Sequence, residues 1–416
     1  MKYSNVEKVI RHDICTGCGI CIGTCNKGAI SITVKDGHFL PEVNNGKCVE
    51  CGLCIKSCPG VGCEISKLST KFLTDATKDD KIVGRYEQCF VGHSTDYDLR
   101  YHSASGGMVT QLLVWLLETE RIDGAVVTKF DCSKPFMTNT FIATSKEELV
   151  DAKSSKYAPV SFHEVAGLIK KANGTRYVIV GLPCHVQGLR KQMEWDKVLE
   201  KKVVALFGLY CSCGRTFYLT EHVFRERKID RSRLTYFAYR DEGCLGSMVA
   251  KQGDEVYTED FQKYYHPLRS FFIPKRCLFC VDHYAQLADI SFGDIHIKPY
   301  SNDKVGINSI VVRNQKMSEW LQLAKSDGVI TLDVLDVTVL NNSQRMARRK
   351  FNRVGAYLKI ASFFGDEVPR YDLKLPVKNI VKYVVEYCHT RVQQRMGMHK
   401  CMWGLITLLK SRKKHV

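Results

Sequence analysis

The chain has 416 residues, 45% of them hydrophobic, which suits two or three ordinary globular domains. Its opening MKYSNVEKVIRHD is charged and no apolar run is long enough to cross a bilayer, so neither an export signal nor an integral membrane protein is expected. The formal charge of +17 favours acidic partners, yet the basic residues are spread out with no helix-turn-helix or aromatic RNA-binding motif, which argues against nucleic acid. Nineteen cysteines in such a chain point to metal ligation in a reducing cytoplasm and not to a disulfide framework.

Two cysteine runs come first: Cys15, Cys18, Cys21 and Cys25, then Cys48, Cys51, Cys54 and Cys58. Each reads Cys-x-x-Cys-x-x-Cys-x-x-x-Cys, the spacing with which a bacterial two-cluster ferredoxin holds a pair of 4Fe-4S cubes, the fourth Cys of each run serving the other run's cube. One cube then takes Cys15, Cys18, Cys21 and Cys58, and the other Cys48, Cys51, Cys54 and Cys25. Ligands three residues apart reach one cube only if the chain curls tightly, which accounts for Gly17, Gly19 and Gly52. Pro59 follows the last Cys as the pattern expects, whereas Asn26 replaces the first run's Pro. Zinc ribbons or disulfides are the alternatives, but neither needs eight thiols in this duplicated order. Each cube carries about −2 when oxidised, so two bring the total to about +13. Residues 1–66 are expected to form this ferredoxin unit, with strands at 30–34 and 39–43, and the polar stretch 67–85 to be a linker.

From Tyr86 the pattern is mixed α and β. His102-Ser-Ala-Ser-Gly-Gly107 leads into a helix on the spacing of Met108, Val109, Leu112, Leu113, Leu116 and Leu117. Buried strands are expected at 124–129, 176–181 and 202–208, with a capping box at Ser145 and Glu148 starting a short helix. Further strands follow at 234–240, 247–251, 289–292 and 309–312, then a helix at 318–326 and a strand at 329–334. This is an α/β (mixed α+β) reading: a ferredoxin-like head, a mixed, largely parallel sheet over 86–352 divided into 86–165 and 166–352, and a basic helical tail at 353–416. In such sheets sites gather at the strand carboxyl ends. The tail's mixture of apolar and basic residues also suits the surface of an anionic membrane.

Cys277-Leu-Phe-Cys280 is one more Cys-x-x-Cys, and Cys184 and Cys211 each follow a predicted strand. By spacing alone these thiols could meet at one metal centre, or Cys211, Cys213, Cys277 and Cys280 could hold zinc. The motifs SxSGGxVTxLL (103–113), GxPCxxxGLR (181–190), GLxC (208–211) and CxxCxDxxxxxADIxxGD (277–294) resemble the coenzyme F420 hydrogenase/dehydrogenase beta-subunit family over residues 86–352. The resemblance implies FAD and a third 4Fe-4S cluster on Cys184, Cys211, Cys277 and Cys280, with Cys213 as the neighbour that could replace Cys211. It also places flavin contacts at the Ser105-Gly106-Gly107 turn, where a helix start offers free N–H groups, and at Lys153, Ser155, Lys156 and Tyr157. His185 could donate to cluster or flavin, and Arg240, Asp241, Lys275 and Arg276 could receive an acidic cofactor. Asp282 and Asp294 fit the same motif as supporting or turn residues. Cys63, Cys89, Cys132, Cys244, Cys388 and Cys401 are expected to be small buried hydrophobes.

The resulting expectation is a soluble cytoplasmic iron-sulfur flavoprotein oxidoreductase. Electrons would pass between ferredoxin-type clusters and FAD, then to or from coenzyme F420 or an organic substrate. Relatives in organisms lacking the deazaflavin are often found beside cell-surface polysaccharide genes, so the resemblance also admits a sugar or lipid-linked substrate. A redox partner protein or ferredoxin is implied, and the alternative is a non-catalytic electron-transfer subunit feeding a partner enzyme. No catalytic residue is assigned.

Overall fold

The computed structural model describes residues 3–131, 133 and 138–412, so the expectation for Cys132 lies outside it. At the front, Ile30–Lys35 and His38–Val43 form an antiparallel hairpin between the two cysteine runs. The chain then builds an eight-stranded mixed sheet from β1 (Gln88–Ser94), β2 (Gly124–Phe130), β3 (Thr138–Ala143), β4 (Tyr177–Gly181), β5 (Val203–Leu209), β6 (Ile290–Asp294), β7 (Asn308–Val312) and β8 (Ile330–Leu335). Their order across the sheet is β8-β1-β7-β6-β5-β4-β2-β3. The four central strands β2, β4, β5 and β6 run parallel, and antiparallel strands flank them on both sides. The parallel part thus occupies the middle, where strands such as VVALFGL are apolar on both faces.

Side chains alternate between two buried layers. Val127, Val178, Ala205 and Phe207 face the helices Met108–Glu118 and Gln315–Ser326. Val126, Ile179 and Leu206 face the layer of helices Val165–Lys171 and Pro183–Met193, into which Cys18 and Ile20 of the head also pack. Because β4 and β5 are parallel with Gly181 opposite Gly208, their carboxyl ends open on one edge, and Leu209 opposite Phe292 puts the end of β6 there as well. That register delivers Cys184, Cys211 and Asp294 to the same rim.

Three segments differ from expectation. Residues 67–85 are not an unstructured connector: Ile65–Phe72 is a helix whose Ile65 and Leu68 join the second core layer, and Lys78–Asp80 pairs with Gly84–Tyr86. The apolar triplet Ile65, Leu68 and Phe72 lies on one helical face, a signal diluted by its polar neighbours. A third strand, Glu255–Asp260, completes a small antiparallel sheet with Tyr236–Asp241 and Ser247–Gln252. The tail begins earlier than 353, in a helix Arg345–Phe363, and continues through Ile380–Met398 and Trp403–Arg412, with Tyr387, Trp403 and Ile406 buried. Its short strand Arg370–Tyr371 pairs in parallel with Gly62–Cys63 of the head. Among the described residues no helix is long and apolar enough to cross a membrane.

Candidate functional site

Cys15, Cys18, Cys21 and Cys58 line one small cavity with Val6, Val9, Pro41 and Pro59. Left-handed turns at Gly17 (φ +69°) and Gly19 (φ +74°) curl the run around it. Gly17 N donates to Cys15 Sγ (3.4 Å) and Gly60 N to Cys58 Sγ (3.3 Å), contacts of the kind that set a cluster's potential. Burial, then the neighbouring Cys58, pushes the Cys18 thiol up to about 11, so Cys18 gives up its proton near neutral pH only against a bound cation. In the second set, Cys25 and Cys54 share an apolar patch with Val6 and Ile30, Asn5 Nδ2 donates to Cys48 Sγ (3.7 Å), and Cys51 is exposed.

The third set assembles from three places. Cys184 sits in the first turn of the helix after β4, Cys211 just past β5, and Cys277 and Cys280 on the turn at Lys275–Phe279. After burial, the charges acting most strongly on the Cys184 thiol are those of Cys18, Cys211, Cys277 and Cys280, and together they hold it far above its usual range. Cys211 is pushed up to about 12 by burial, with Lys350 pulling the other way. Cys277 is raised to about 11 by burial and then by Cys213 and Cys280, so Cys213 is a fifth thiol in the group. Gly214 N donates to Cys277 Sγ at 3.3 Å. Among the described residues no three or more Cys, His, Asp or Glu side chains are drawn together tightly enough to hold a single ion.

The head is seated directly against this third set. Phe162 N donates to Cys18 O (2.8 Å), and Lys191 Nζ donates to the carbonyls of Cys58 and Gly62. Arg276 Nε donates to Gly60 O (2.9 Å), and its Nη2 donates to Pro59 O (2.8 Å) and the Tyr371 hydroxyl (3.0 Å). Arg276 therefore does not receive an acidic cofactor; it fastens a ligand turn of the head to the residue before Cys277. Lys275 is likewise spent, paired with Asp366 at 2.9 Å.

The residues expected to touch flavin fall into two groups. Lys153, Ser155, Lys156 and Tyr157 lie beside Arg240, whose carbonyl accepts a bond from the Ser154 hydroxyl. Arg240 is buried, pairs with Asp294 (2.8 Å), and stands 5.2 Å from the Phe261 ring centre. The Tyr157 ring packs on Phe261 and Tyr265, with centroids 5.1 and 4.5 Å away. Lys156 Nζ donates to the carbonyls of Ala152 and Lys153 at 2.5 and 2.7 Å, while burial pulls its pKa down to about 7. The Ser105-Gly106-Gly107 turn adjoins the same rim but is closed by protein: Ser105 Oγ donates to Ile307 O, Asn308 Oδ1 accepts from Met108 N, and a Cβ on Gly106 would lie 2.8 Å from Asn308 N. The glycine is there because a strand runs against it, and the expected open helix start is corrected accordingly.

His185 is corrected as well. Its Nδ1 accepts from Leu182 N (3.2 Å), its Nε2 meets Val160 O (3.1 Å), and its ring stacks on Phe162 at 4.0 Å. Both nitrogens are taken by backbone, leaving none for a cluster or flavin. Asp241 does not face a cofactor either; it accepts from Tyr236 Oη (2.6 Å) and meets His102 Nδ1 (2.7 Å). Asp282 is held by Gln187 Nε2 and Gln286 N. Cys63 and Cys89 are buried and Cys244 partly so, whereas Cys388, on the helix Ile380–Met398, and Cys401, in the turn after it, are exposed, against expectation. Sequence reasoning missed Arg215 and Lys350, two buried cations at the third set, because nothing in their local spacing marks them.

The twin cysteine runs and the mixed sheet with thiols at its rim define an iron-sulfur protein of the electron-transfer class. The chain belongs to the coenzyme F420 hydrogenase/dehydrogenase beta-subunit family: the models for its N-terminal and C-terminal parts match residues 89–166 and 174–337, together more than half of the chain. A 4Fe-4S dicluster domain matches residues 14–63. A coenzyme F420-dependent sulfite reductase of Methanocaldococcus jannaschii is 27% identical over 54% of this chain, but the match spans only 36% of that protein. The coenzyme F420 hydrogenase beta subunit of Methanosarcina barkeri is 22% identical over 60% of this chain and 83% of its own length. The same organism's F420-reducing [NiFe] hydrogenase complex includes a chain of like fold, with a TM-score of 0.55, 20% identity, and coverage of 72% of this chain and 99% of that one.

Proposed function

We propose that the protein is an iron-sulfur flavoprotein oxidoreductase with three 4Fe-4S cubes. Cys15, Cys18, Cys21 and Cys58 hold the first, Cys48, Cys51, Cys54 and Cys25 the second, and Cys184, Cys211, Cys277 and Cys280 the third. The observation that carries this reading is that Cys184, in the helix after β4, has Cys18 of the head as a close charge neighbour beside its own three partners. The donor chemistry fits: free thiols that are mostly buried or half-buried, N–H groups aimed at sulfur, and no competing disulfide among the described cysteines. The flavin reading rests on the buried Arg240 and the Tyr157 wall at the same rim. When bound, these cofactors supply single-electron transfer and its conversion to hydride transfer. The chain's own residues seat the head, aim N–H groups at the thiols and present a guanidinium and a phenol at the rim. The acceptor is coenzyme F420 or an organic substrate, including one from cell-surface polysaccharide synthesis, and the electron source is a redox partner protein.

Anaerobic purification with iron, sulfide, zinc and flavin quantitation tests this. About twelve irons and one FAD per chain are expected from three cubes and one flavin, and Cys184→Ser should leave about eight irons. Stoichiometric zinc without flavin would overturn the reading. The beta-subunit relatives, named as parts of a hydrogenase, favour a second reading, an electron-transfer subunit without its own substrate; clusters without flavin, and no unaided reduction of a small-molecule acceptor, would select it.

The tail supports a peripheral contact with an anionic membrane. Residues 345–416 hold 17 Lys and Arg against 4 Asp and Glu. Phe363 and Phe364, 86% and 61% exposed, stand side by side, and Val381 and Val385 are exposed on the next helix. Basic charge around protruding apolar groups suits an acidic lipid surface. Co-sedimentation with phosphatidylserine vesicles but not with phosphatidylcholine vesicles is expected, weakened by Phe363→Ser with Phe364→Ser. No binding to either would dismiss the idea.

A further inference from the structure

Arg215, Arg276 and Lys350 are all buried beside the third thiol set, and among the described residues none of them is ion-paired with a carboxylate. Lys350, on the helix Arg345–Phe363, donates from Nζ to Cys211 O (3.0 Å) and Asp282 O (2.6 Å). Arg215 Nη1 donates to the carbonyls of Cys213 (3.0 Å) and Gly214 (2.7 Å), and its guanidinium lies 5.1 Å from the Tyr265 ring centre. Arg276 adjoins Cys277 and is bonded only to carbonyls and the Tyr371 hydroxyl. The one carboxylate that acts on Lys350 is that of Asp282, itself held by Gln187 and Gln286. Three buried cations thus gather at the thiols, none of them ion-paired with a carboxylate among the described residues.

An uncompensated buried charge costs several kcal/mol, so such an arrangement persists only opposite negative charge. The head is less well supplied: its cation contacts are at the Cys58 turn, where Lys191 reaches Cys58 O and Arg276, shared with the third set, reaches Pro59 O and Gly60 O. The charges acting most strongly on Cys15 are Cys58, Cys18 and the carboxylate of Asp13, and those on Cys18, Cys21 and Cys54 are other thiols.

We propose that Arg215, Arg276 and Lys350 are tuning residues that neutralise the centre on Cys184, Cys211, Cys277 and Cys280 and make it the easiest of the three to reduce. The proposal rests on that set holding a cube. One-electron reduction adds one negative charge to a cube, and fixed, buried cations at short range favour the more negative state, which raises the reduction potential. The head cubes have fewer such cations, Lys191 and the shared Arg276 at the Cys58 turn against the carboxylate of Asp13, and stay lower.

The test is a redox titration of the full-length, anaerobically purified protein, with each centre followed by electron paramagnetic resonance and iron counted in the same samples. One centre of the wild type should reduce at a higher potential than the other two. Lys350→Met should lower that midpoint alone while iron stays near twelve, and Lys350→Arg should restore it. Arg215→Gln, measured the same way, should shift the same centre in the same direction, and it stands in if Lys350→Met fails to load. Twelve irons with all midpoints unmoved, or a shift in the head centres instead, would overturn the tuning role. Eight irons in the wild type would overturn the third cube itself, which keeps the two failures apart.

Discussion

Gly19 and Gly52 occupy equivalent places in the two cysteine runs and have nearly the same backbone, φ +74° and ψ −5° against φ +75° and ψ −1°. Alanine at either site would pay for a left-handed conformation, about 1–2 kcal/mol. Their surroundings differ completely. A Cβ on Gly52 meets nothing within 4 Å, whereas one on Gly19 would lie 2.2 Å from Ser161 Oγ and 2.7 Å from His163 N. The second of these is backbone and cannot swing aside, so Gly19→Ala carries an added overpacking cost of about 1–3 kcal/mol. Urea unfolding followed by near-ultraviolet circular dichroism, with iron release monitored in parallel, should show a small loss for Gly52→Ala and a loss roughly twice as large for Gly19→Ala. Hydrogen exchange at residues 159–165 should rise only in the latter. Equal effects of the two substitutions would refute the idea that the head is docked through Gly19.

Three further outcomes are expected. With burial holding Lys156 near 7 instead of 10.5, the folded chain binds fewer protons than the unfolded chain between those values, so stability rises with pH there by up to about 1.4 kcal/mol per unit. Lys156→Met should remove that slope, and a wild-type minus variant difference that is flat from pH 7 to 10 would contradict it. His185→Ala should cost about 2–4 kcal/mol through a cavity and two unsatisfied backbone groups while leaving iron and flavin contents intact; flavin loss without destabilisation would restore its cofactor role. Arg240→Met and Asp294→Asn should each cost about 3–5 kcal/mol by stranding a buried charge, and the double variant less than their sum. Additive losses in denaturant titrations would show that the two do not act as a pair.

Features that depend on neighbours in the chain were legible in the sequence. The thiol spacing, the helix starting at Met108 and the runs of β4 and β5 are local patterns, and the structure has the helix and both strands where that reading put them. What escaped depends on distant contacts. The glycines of the Ser105-Gly106-Gly107 turn look like an anion cradle until Asn308, two hundred residues on, is seen filling it. His185 follows a candidate ligand and so invites a functional reading, yet Phe162 and Val160 claim its ring. The helix Ile65–Phe72 has three apolar residues in a polar window, too weak a signal without the layer they enter. Arg215 and Lys350 carry no motif at all; their burial beside thiols is a property of the assembled rim.

The short parallel pairing of Arg370–Tyr371 with Gly62–Cys63 has a temporal side. A ribosome emits the head roughly three hundred residues before the strand that latches onto it, a delay of about 15–60 s at ordinary elongation rates. During that interval the loop after Cys58 lacks its partner strand. The late strand then supplies Arg370 N to Val61 O, so the last turn of the head completes its backbone bonding only after most of the chain has been made.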